Sequence, residues 1–228
     1  TADITASAIQ TSPIGSHFEL RIQGSSRFAE CRLLGDFNLS NLLAVSAWLH
    51  DLGHSLDAIV EMLPKLEPPP GRLERVSAPK GSVFIDFAHT PDAVQSVLET
   101  ISRHCPGRII TVIGCGGDRD RTKRPVMGRS AVELSDIAIF TSDNPRSELP
   151  LKIVEQMLSD LPADASPIVE LDRGLAIQKG IDLLTDSDVL VILGKGHERF
   201  QEIDGVSHPF SDREVAEACI ALGAGRHD

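Results

Sequence analysis

The sequence has no tyrosine, one tryptophan and eight phenylalanines among its 228 residues. A large aromatic core is therefore excluded, and the 41% of hydrophobic residues must build a mostly aliphatic core, as parallel sheets do. Positive charge is also scarce, because 22 Lys and Arg stand against 33 Asp and Glu, for a net charge of −11. A nucleic-acid partner needs a basic face, so this class of function is disfavoured. No apolar run approaches the roughly 20 residues of a membrane span, and no segment has the pattern of a secretory signal.

Cysteine is sparse and scattered: Cys31, Cys105, Cys115 and Cys219 include no C-x-x-C pair. A zinc ribbon or a dithiol redox site is therefore disfavoured. Scattered thiols suit a reducing compartment, so we predict a cytoplasmic protein with no membrane partner. We expect Cys115 to be a small residue tolerated in a glycine-rich loop rather than a reactive thiol. The first residue is Thr1 rather than Met, and we interpret the chain as a piece of a longer protein.

Most of the chain alternates between short apolar runs and helical patterns. Four runs rich in β-branched residues predict strands buried on both faces: 83–85, 109–113, 137–140 and 189–193. A further strand is predicted at 168–171, and a hairpin around Asp204-Gly205. The predicted helices lie at about 91–104, 125–134, 150–160, 172–184 and 211–222. This order predicts the α/β class, with a Rossmann-like, doubly wound sheet of about six strands.

The first third of the chain has a different pattern. Segments 4–9, 17–22 and 28–33 alternate between apolar and polar residues, which predicts a small antiparallel sheet. Helices are predicted at about 37–50 and 56–63. The prolines Pro68, Pro69 and Pro70, followed by Gly71, are the strongest break in the chain. We therefore predict two domains, 1–75 and 76–228.

Polar signatures follow the four buried strands directly. We name three of them the glycine loop (114–124), the Asp143 loop (143–146) and the Gly194 loop (194–198); the fourth is 86–92. The carboxyl ends of parallel strands share one edge of a sheet, where ligands bind in such folds. Charged residues from distant parts of the sequence are therefore expected to meet there.

Each signature also has a plain structural explanation. Asp, Asn and Pro are turn formers, but a turn does not explain Arg146, whose planar fork matches a carboxylate. The Gly194 loop is either a flexible turn or a site where Glu198 faces an ammonium group. The glycine loop is either a solvated charged loop or an anion site. Its local basic cluster is Arg119, Arg121, Lys123 and Arg124, and Arg119 replaces the third glycine of a dinucleotide fingerprint.

The remaining candidates are weaker. Thr90 explains part of its segment as a helix cap, which leaves Asp86 and His89 as candidates for ribose or base contacts. Asn38 and Asn41 share one helix face at i and i+3, where they either read a nucleotide edge or are solvated.

Taken together, the signatures resemble the Mur ligases, in their order and spacing, over nearly the whole chain. The matching segments are 35–38 with Asn41, 70–72, 86–92, 114–125, 143–146 and 194–198. In detail they are similar to the members that add meso-diaminopimelate, in which Asp-Asn-Pro-Arg is the recognition signature. The resemblance implies that ATP phosphorylates the carboxylate of UDP-N-acetylmuramoyl-alanyl-glutamate. The amine of meso-diaminopimelate then attacks the acyl phosphate, releasing ADP and phosphate.

The resemblance also implies roles for individual residues. Those implied to hold meso-diaminopimelate are Arg119, Asp143, Asn144, Pro145, Arg146, Gly194 and Glu198. Those implied to lie near ATP are Asn38, Asn41, Arg72, Asp86 and His89. Diaminopimelate differs from lysine by a distal carboxylate. A buried Arg146 facing lysine would lack a partner, at a cost of roughly 2–5 kcal/mol.

One family feature is missing, since no G-x-x-x-x-G-K-[ST] phosphate loop occurs in the 228 residues. We therefore expect the last part of a central ATPase domain (1–75) followed by the amino-acid domain (76–228), inactive alone and monomeric. The resemblance implies Mg²⁺, with ligands in the missing upstream part. Two alternatives stay open: a related ligase, such as folylpolyglutamate synthetase or a lysine-adding enzyme, and a non-catalytic amino-acid-binding module.

Overall fold

The computed structural model describes residues 3–224. The chain divides into two compact units, Thr1–Pro68 and Pro69–Asp228. The division falls just before the predicted boundary at residue 76. The reason is that Glu74–Val76 forms a strand of the second unit's sheet, and that Phe87 donates a backbone hydrogen bond to Gly71 (2.8 Å).

The first unit is an antiparallel sheet with two helices. Strands β1 (Ile4–Ser12), β2 (Gly15–Ile22) and β3 (Ser25–Cys31) pair in that order. Helices α1 (Asp36–Asp51) and α2 (Leu56–Met62) follow, and a 3-10 turn (Leu63–Lys65) ends the unit. Phe18, Leu20 and Ile22 alternate along β2 and are buried with apolar residues of both helices. This period-2 burial is the one that the sequence pattern predicts.

The second unit is built on a six-stranded sheet of order β4-β5-β9-β6-β7-β8. Its strands are β4 (Glu74–Val76), β5 (Ser82–Asp86), β6 (Ile109–Ile113), β7 (Ile137–Phe140), β8 (Ile168–Val169) and β9 (Val189–Leu193). All neighbouring pairs are parallel except β4 with β5. Every residue of β5, β6 and β9 is buried, so both faces are covered. The predicted α/β class is confirmed.

Helices connect and cover these strands. They are α3 (Pro91–His104), α4 (Lys123–Glu133), α5 (Pro150–Leu158), α6 (Arg173–Asp182) and α7 (Asp212–Ala224). Apolar residues of α6 and α7 pack on one face of the sheet, against residues of β5, β6, β7 and β9. Thr90 caps α3 by accepting a hydrogen bond from Ala93 N, and Asp172 caps α6 through Leu175 N. Each cap fixes the residue at which its helix begins.

A hairpin lies outside the large sheet. Its strands β10 (Phe200–Ile203) and β11 (Val206–Pro209) are joined by Asp204 and Gly205, with φ of 48° and 74°. Two consecutive positive φ values are the geometry of a tight hairpin turn, which Asp-Gly favours. The predicted hairpin is therefore present, as a separate two-stranded sheet. The sixth strand of the main sheet is β4, and the sequence pattern did not predict it.

Candidate functional site

A pocket of about 490 Å³ lies at the carboxyl edge of the sheet. It is lined by residues that follow β5, β6, β7 and β9, in agreement with the expectation that the four strand ends meet. Seven residues predicted for ligand binding line it: His89, Arg119, Asp143, Asn144, Arg146, Gly194 and Glu198. Pro145 is buried within the Asp143 loop but does not line the pocket.

Arg146 is held from two sides. Its backbone is in the left-handed region (φ 51°), which is uncommon for a residue other than glycine. Its Nε lies 3.1 Å from Glu202 Oε2, and its Nη1 donates to Gly117 O (2.7 Å). Among residues 3–224 the structure records no partner for Nη2. The guanidinium is therefore fixed, with one edge still able to donate to a ligand.

Glu198 belongs to a buried polar network. The fully buried Lys195 donates through Nζ to Asn144 Oδ1 and to Glu198 Oε2, both at 2.9 Å. Asn144 Nδ2 donates to the same Glu198 oxygen (2.8 Å). Burial alone would raise the pKa of Glu198, but the hydrogen bonds from Lys195 and Asn144 outweigh it and hold this pKa below its usual value. Glu198 is therefore ionised at neutral pH and presents an anion to the pocket.

The three loops are also bonded to one another. Gly117 N donates to Asn144 O (2.8 Å), which joins the glycine loop to the Asp143 loop. Gly194 has φ 113°, and a β-carbon there would lie 2.6 Å from Asp143 Oδ2. Glycine is thus required at this position, because it lets β9 end beside the Asp143 carboxylate.

The basic cluster of the glycine loop is half neutralised. Arg124 is fully buried and its Nη2 lies 2.8 Å from Glu148 Oε1, while Arg121 Nη2 lies 3.2 Å from Glu148 Oε2. The hydrogen bonds from Arg124 lower the pKa of Glu148 to about 2. Arg119 and Lys123 remain as the cations of this loop that line the pocket. Only half of the cluster seen in the sequence thus contributes positive charge to the site.

The residues implied for ATP fall into separate groups. Arg72 lies over the ring of Phe87 (5.5 Å), and the Phe87 ring is 4.6 Å from that of His89 and 5.4 Å from that of His197. Phe87 and His89 line the pocket, so flat side chains are available there for a planar ligand. The Asp86 carboxylate, by contrast, accepts from Leu73 N (2.8 Å) and Ala88 N (2.7 Å). It serves to hold the backbone at the end of β5.

Asn38 and Asn41 lie on α1, in the first unit. Asn38 Nδ2 donates to Leu34 O (2.8 Å), and Asn41 is exposed. The structure therefore gives Asn38 a local structural contact and leaves the proposed nucleotide contact of both residues a prediction.

Cys115 is a buried thiol. Desolvation raises its pKa to about 12, so it stays protonated at neutral pH and is a poor nucleophile. All four cysteines are free.

Sequence reasoning missed the part played by the hairpin. Gln201 Nε2 donates to Asp143 O (2.6 Å), Glu202 N to Asn144 Oδ1 (3.0 Å) and Arg146 N to Glu202 O (3.0 Å). The hairpin thus pairs with the Asp143 loop and fixes it. Its position in the chain, directly after the Gly194 loop, was the one available signal.

Within residues 3–224, no group of three or more His, Cys, Asp or Glu side chains is placed to hold a metal ion. None of the helices in the same range is long and apolar enough to cross a membrane.

A doubly wound sheet with a charged pocket at its carboxyl edge defines an α/β ligand-binding domain. The family model described as "Mur ligase, glutamate ligase domain" matches residues 71–196, more than half of the chain, and the chain belongs to the Mur ligase family. The resemblance inferred from the loop signatures is thereby confirmed at the level of the family.

Relatives and solved structures agree with this assignment. The chain is 45% identical over 206 residues to UDP-N-acetylmuramoyl-L-alanyl-D-glutamate--2,6-diaminopimelate ligase of Aquifex aeolicus, covering 90% of this chain and 42% of that protein. It is 46% identical over 203 residues to the ligase of the same name from Pseudomonas syringae, covering 88% and 42%. A solved structure of a ligase with this name superposes with a TM-score of 0.81 at 38% identity, over 100% of this chain and 47% of that one.

More distant structures share the fold alone. A folylpolyglutamate synthase from Thermotoga maritima has a TM-score of 0.69 at 18% identity, over 97% of this chain and 47% of that one. The present chain spans less than half the length of the relatives it matches.

Proposed function

We propose that this chain is the amino-acid-binding part of a ligase that joins meso-diaminopimelate to UDP-N-acetylmuramoyl-L-alanyl-D-glutamate. One observation carries the proposal: Arg146 and Glu198, of opposite charge, line the same pocket. Each is held by its own set of hydrogen bonds. A carboxylate and an ammonium at the far end of diaminopimelate match this pair. Relatives that carry the corresponding name, at 45–46% identity, support the same reading.

The proposed roles follow from the contacts. The free edge of Arg146, with Arg119 nearby in the pocket lining, would take the distal carboxylate as a charge-assisted pair. Glu198, Asp143 and Asn144 would take the neighbouring ammonium, with Gly194 giving room for it. The remaining amine would then be free to attack the acyl phosphate of the second substrate, releasing phosphate as the amide forms. Pro145 is given no ligand contact, and its proposed role is to shape the Asp143 loop.

ATP enters the proposed reaction as a substrate. The planar groups of Arg72, Phe87 and His89 fit the stacking of a purine, and we keep Asn38, Asn41 and Asp86 as proposed neighbours of the nucleotide. The chain has no phosphate-loop motif. The family also implies Mg²⁺, but the described residues offer no ligand cluster that fits it.

The source of selectivity differs from the sequence argument. From the sequence, Arg146 was expected to be unpaired in front of lysine, whereas it forms an ion pair with Glu202. The penalty of a bare buried cation therefore does not arise. What diaminopimelate gains over lysine is a charge-assisted hydrogen-bond pair, and such bonds are worth about 1.5–3 kcal/mol. We expect a preference of roughly tenfold to a hundredfold.

Calorimetry on the 228-residue chain with meso-diaminopimelate and with lysine tests the proposal. Diaminopimelate should bind more tightly by the stated factor, and Arg146→Ala should remove the difference. Arg129→Ala, on the exposed face of α4, is the matched control and should leave it unchanged. Equal affinity of the wild-type chain for both amino acids would contradict the proposed specificity.

A further inference from the structure

Arg173, the first residue of α6, has a fully buried side chain that does not line the pocket. It forms a two-pronged ion pair with the equally buried Asp212, the first residue of α7. Its Nε lies 2.7 Å from Asp212 Oδ1, and its Nη2 lies 2.7 Å from Asp212 Oδ2. The negative charge of Asp212 is further favoured by its place at the helix N-terminus.

The same guanidinium also contacts the residues that directly precede the Asp143 loop and the Gly194 loop. Its Nη2 donates to Leu193 O (3.0 Å), and Leu193 directly precedes the Gly194 loop. Its Nη1 donates to Ser142 O (3.4 Å), and Ser142 directly precedes the Asp143 loop. All three nitrogens of Arg173 are thus engaged, two of them with backbone carbonyls at strand ends.

Stability alone does not account for this arrangement. A buried ion pair adds little net stability compared with apolar residues of similar volume, because both charges lose their water. A planar fork, however, holds its acceptors at fixed separations and angles. One rigid group bonded to Ser142 O and Leu193 O therefore sets the distance between the loops that carry Arg146 and Glu198.

We infer that Arg173 is a positioning residue: backed by Asp212, it locks the Asp143 loop and the Gly194 loop into one unit, so that the pocket's cation and anion keep a constant spacing. The ligand-binding consequence rests on the proposed function, whereas the locking of the loops does not.

Hydrogen–deuterium exchange tests the locking without any ligand. In Arg173→Lys the positive charge remains, but the fork and its simultaneous contacts are lost. The amides of Arg146 and Gly194, which donate to Glu202 O and Asp86 O, should exchange about tenfold faster. Those of Ile110 and Val112 in β6 should be unchanged. Arg129→Lys, at an exposed arginine, is the control and should alter neither group.

Two results would overturn the inference: no acceleration at either loop, or an equal acceleration of the loops and of β6, which would mean that Arg173 supports only the stability of the whole unit. If Arg173→Lys does not fold, Asp212→Asn is read in the same way, because it removes the charge that holds the fork in place.

Calorimetry with meso-diaminopimelate supplies the second readout. The dissociation constant of Arg173→Lys should rise roughly tenfold over that of the wild type, with Arg129→Lys unchanged. An unchanged constant in Arg173→Lys would overturn the binding consequence. If the wild-type chain itself failed to discriminate diaminopimelate from lysine, the proposed function would fall, and the exchange data would still decide the role of Arg173.

Discussion

Lys195 is one of the residues that favour the charged form of Glu198. It is completely buried and bonded to both Asn144 and Glu198. Burial opposes the ionisation of Glu198, and the hydrogen bonds from Lys195 and Asn144 reverse that effect. Lys195 therefore contributes, together with Asn144, to keeping Glu198 ionised in the pocket.

Lys195→Met removes the two hydrogen bonds that Lys195 Nζ donates and keeps most of the apolar volume. The pKa of Glu198 should then rise, because Lys195 no longer offsets the effect of burial. In the wild type, whose Glu198 pKa lies below 4.5, binding of diaminopimelate should persist as the pH falls to about 5; in the variant it should weaken at a higher pH. Calorimetry across pH 4.5–8 measures this, with the exposed Lys152→Met as control. Identical pH profiles would contradict the prediction.

Glu148 gives a second pH-dependent effect, which needs no ligand. The hydrogen bonds from Arg124 depress its folded-state pKa from 4.5 to about 2. Its stabilising contribution is therefore complete above about pH 4.5 and is lost as the pH falls through about 2. Glu148→Gln should flatten the decline of the urea midpoint between pH 5 and pH 2.5. Glu155→Gln, at an exposed position of α5, is the control, and a decline in Glu148→Gln as steep as in the wild type would refute the assignment.

At the scale of elements, the sheet was more predictable than the site. The runs 83–85, 109–113, 137–140 and 189–193 lie within β5, β6, β7 and β9, because continuous β-branched runs bounded by turns suit strands buried on both faces. Strand β4 is three residues long and begins with Glu74 and Arg75, so its sequence carries no periodic signal. It exists because it pairs with β5, and that is tertiary information.

The site could be predicted only in part for the same reason. The loops that follow the strands were found because parallel strands bring their carboxyl ends together. Two contacts of the site join residues more than fifty positions apart: Glu202 with Arg146, and Gln201 with Asp143. No local sequence pattern predicts such contacts. The neutralisation of Arg121 and Arg124 by Glu148 was hidden likewise, because charge counts along a sequence do not show pairing.

The hairpin turn between β10 and β11 allows the effect of backbone conformation on stability to be tested without any change in side-chain contacts. Gly205 has φ 74°, and nothing lies within 4 Å of a β-carbon built there. Gly205→Ala should therefore destabilise the second unit by about 1 kcal/mol through backbone strain rather than through a clash.

The matched control is Gly223→Ala in α7, where the space is equally open and φ is not in the left-handed region. There alanine should stabilise by up to about 1 kcal/mol, because it is the better helix former. Urea unfolding measures both changes, and the same sign for both variants would rule out the backbone explanation.

At the scale of the whole molecule, the chain has a charged pocket but no phosphate-loop motif. It also spans less than half of the relatives it matches. The proposed reaction needs ATP to be held by its phosphates. The phosphate-loop motif, which holds them in many ATP-binding proteins, does not occur in this sequence.

We therefore expect the 228-residue chain to release no phosphate from ATP above the background of buffer, with or without diaminopimelate and the second substrate. A phosphate-release assay measures this, with a full-length Mur ligase as the positive control. Turnover by the chain alone at the rate of that control would show that the phosphates are held by residues of another kind.

Glu202 balances the charge of Arg146. A carboxylate that enters the pocket does not meet a bare cation; it joins as a third charge and shares the guanidinium. Chloride or phosphate ions gain little from sharing, because they bring no amine for Glu198. If the proposed function holds, single inorganic anions should bind this pocket weakly, and a molecule that carries both a carboxylate and an ammonium group should be favoured.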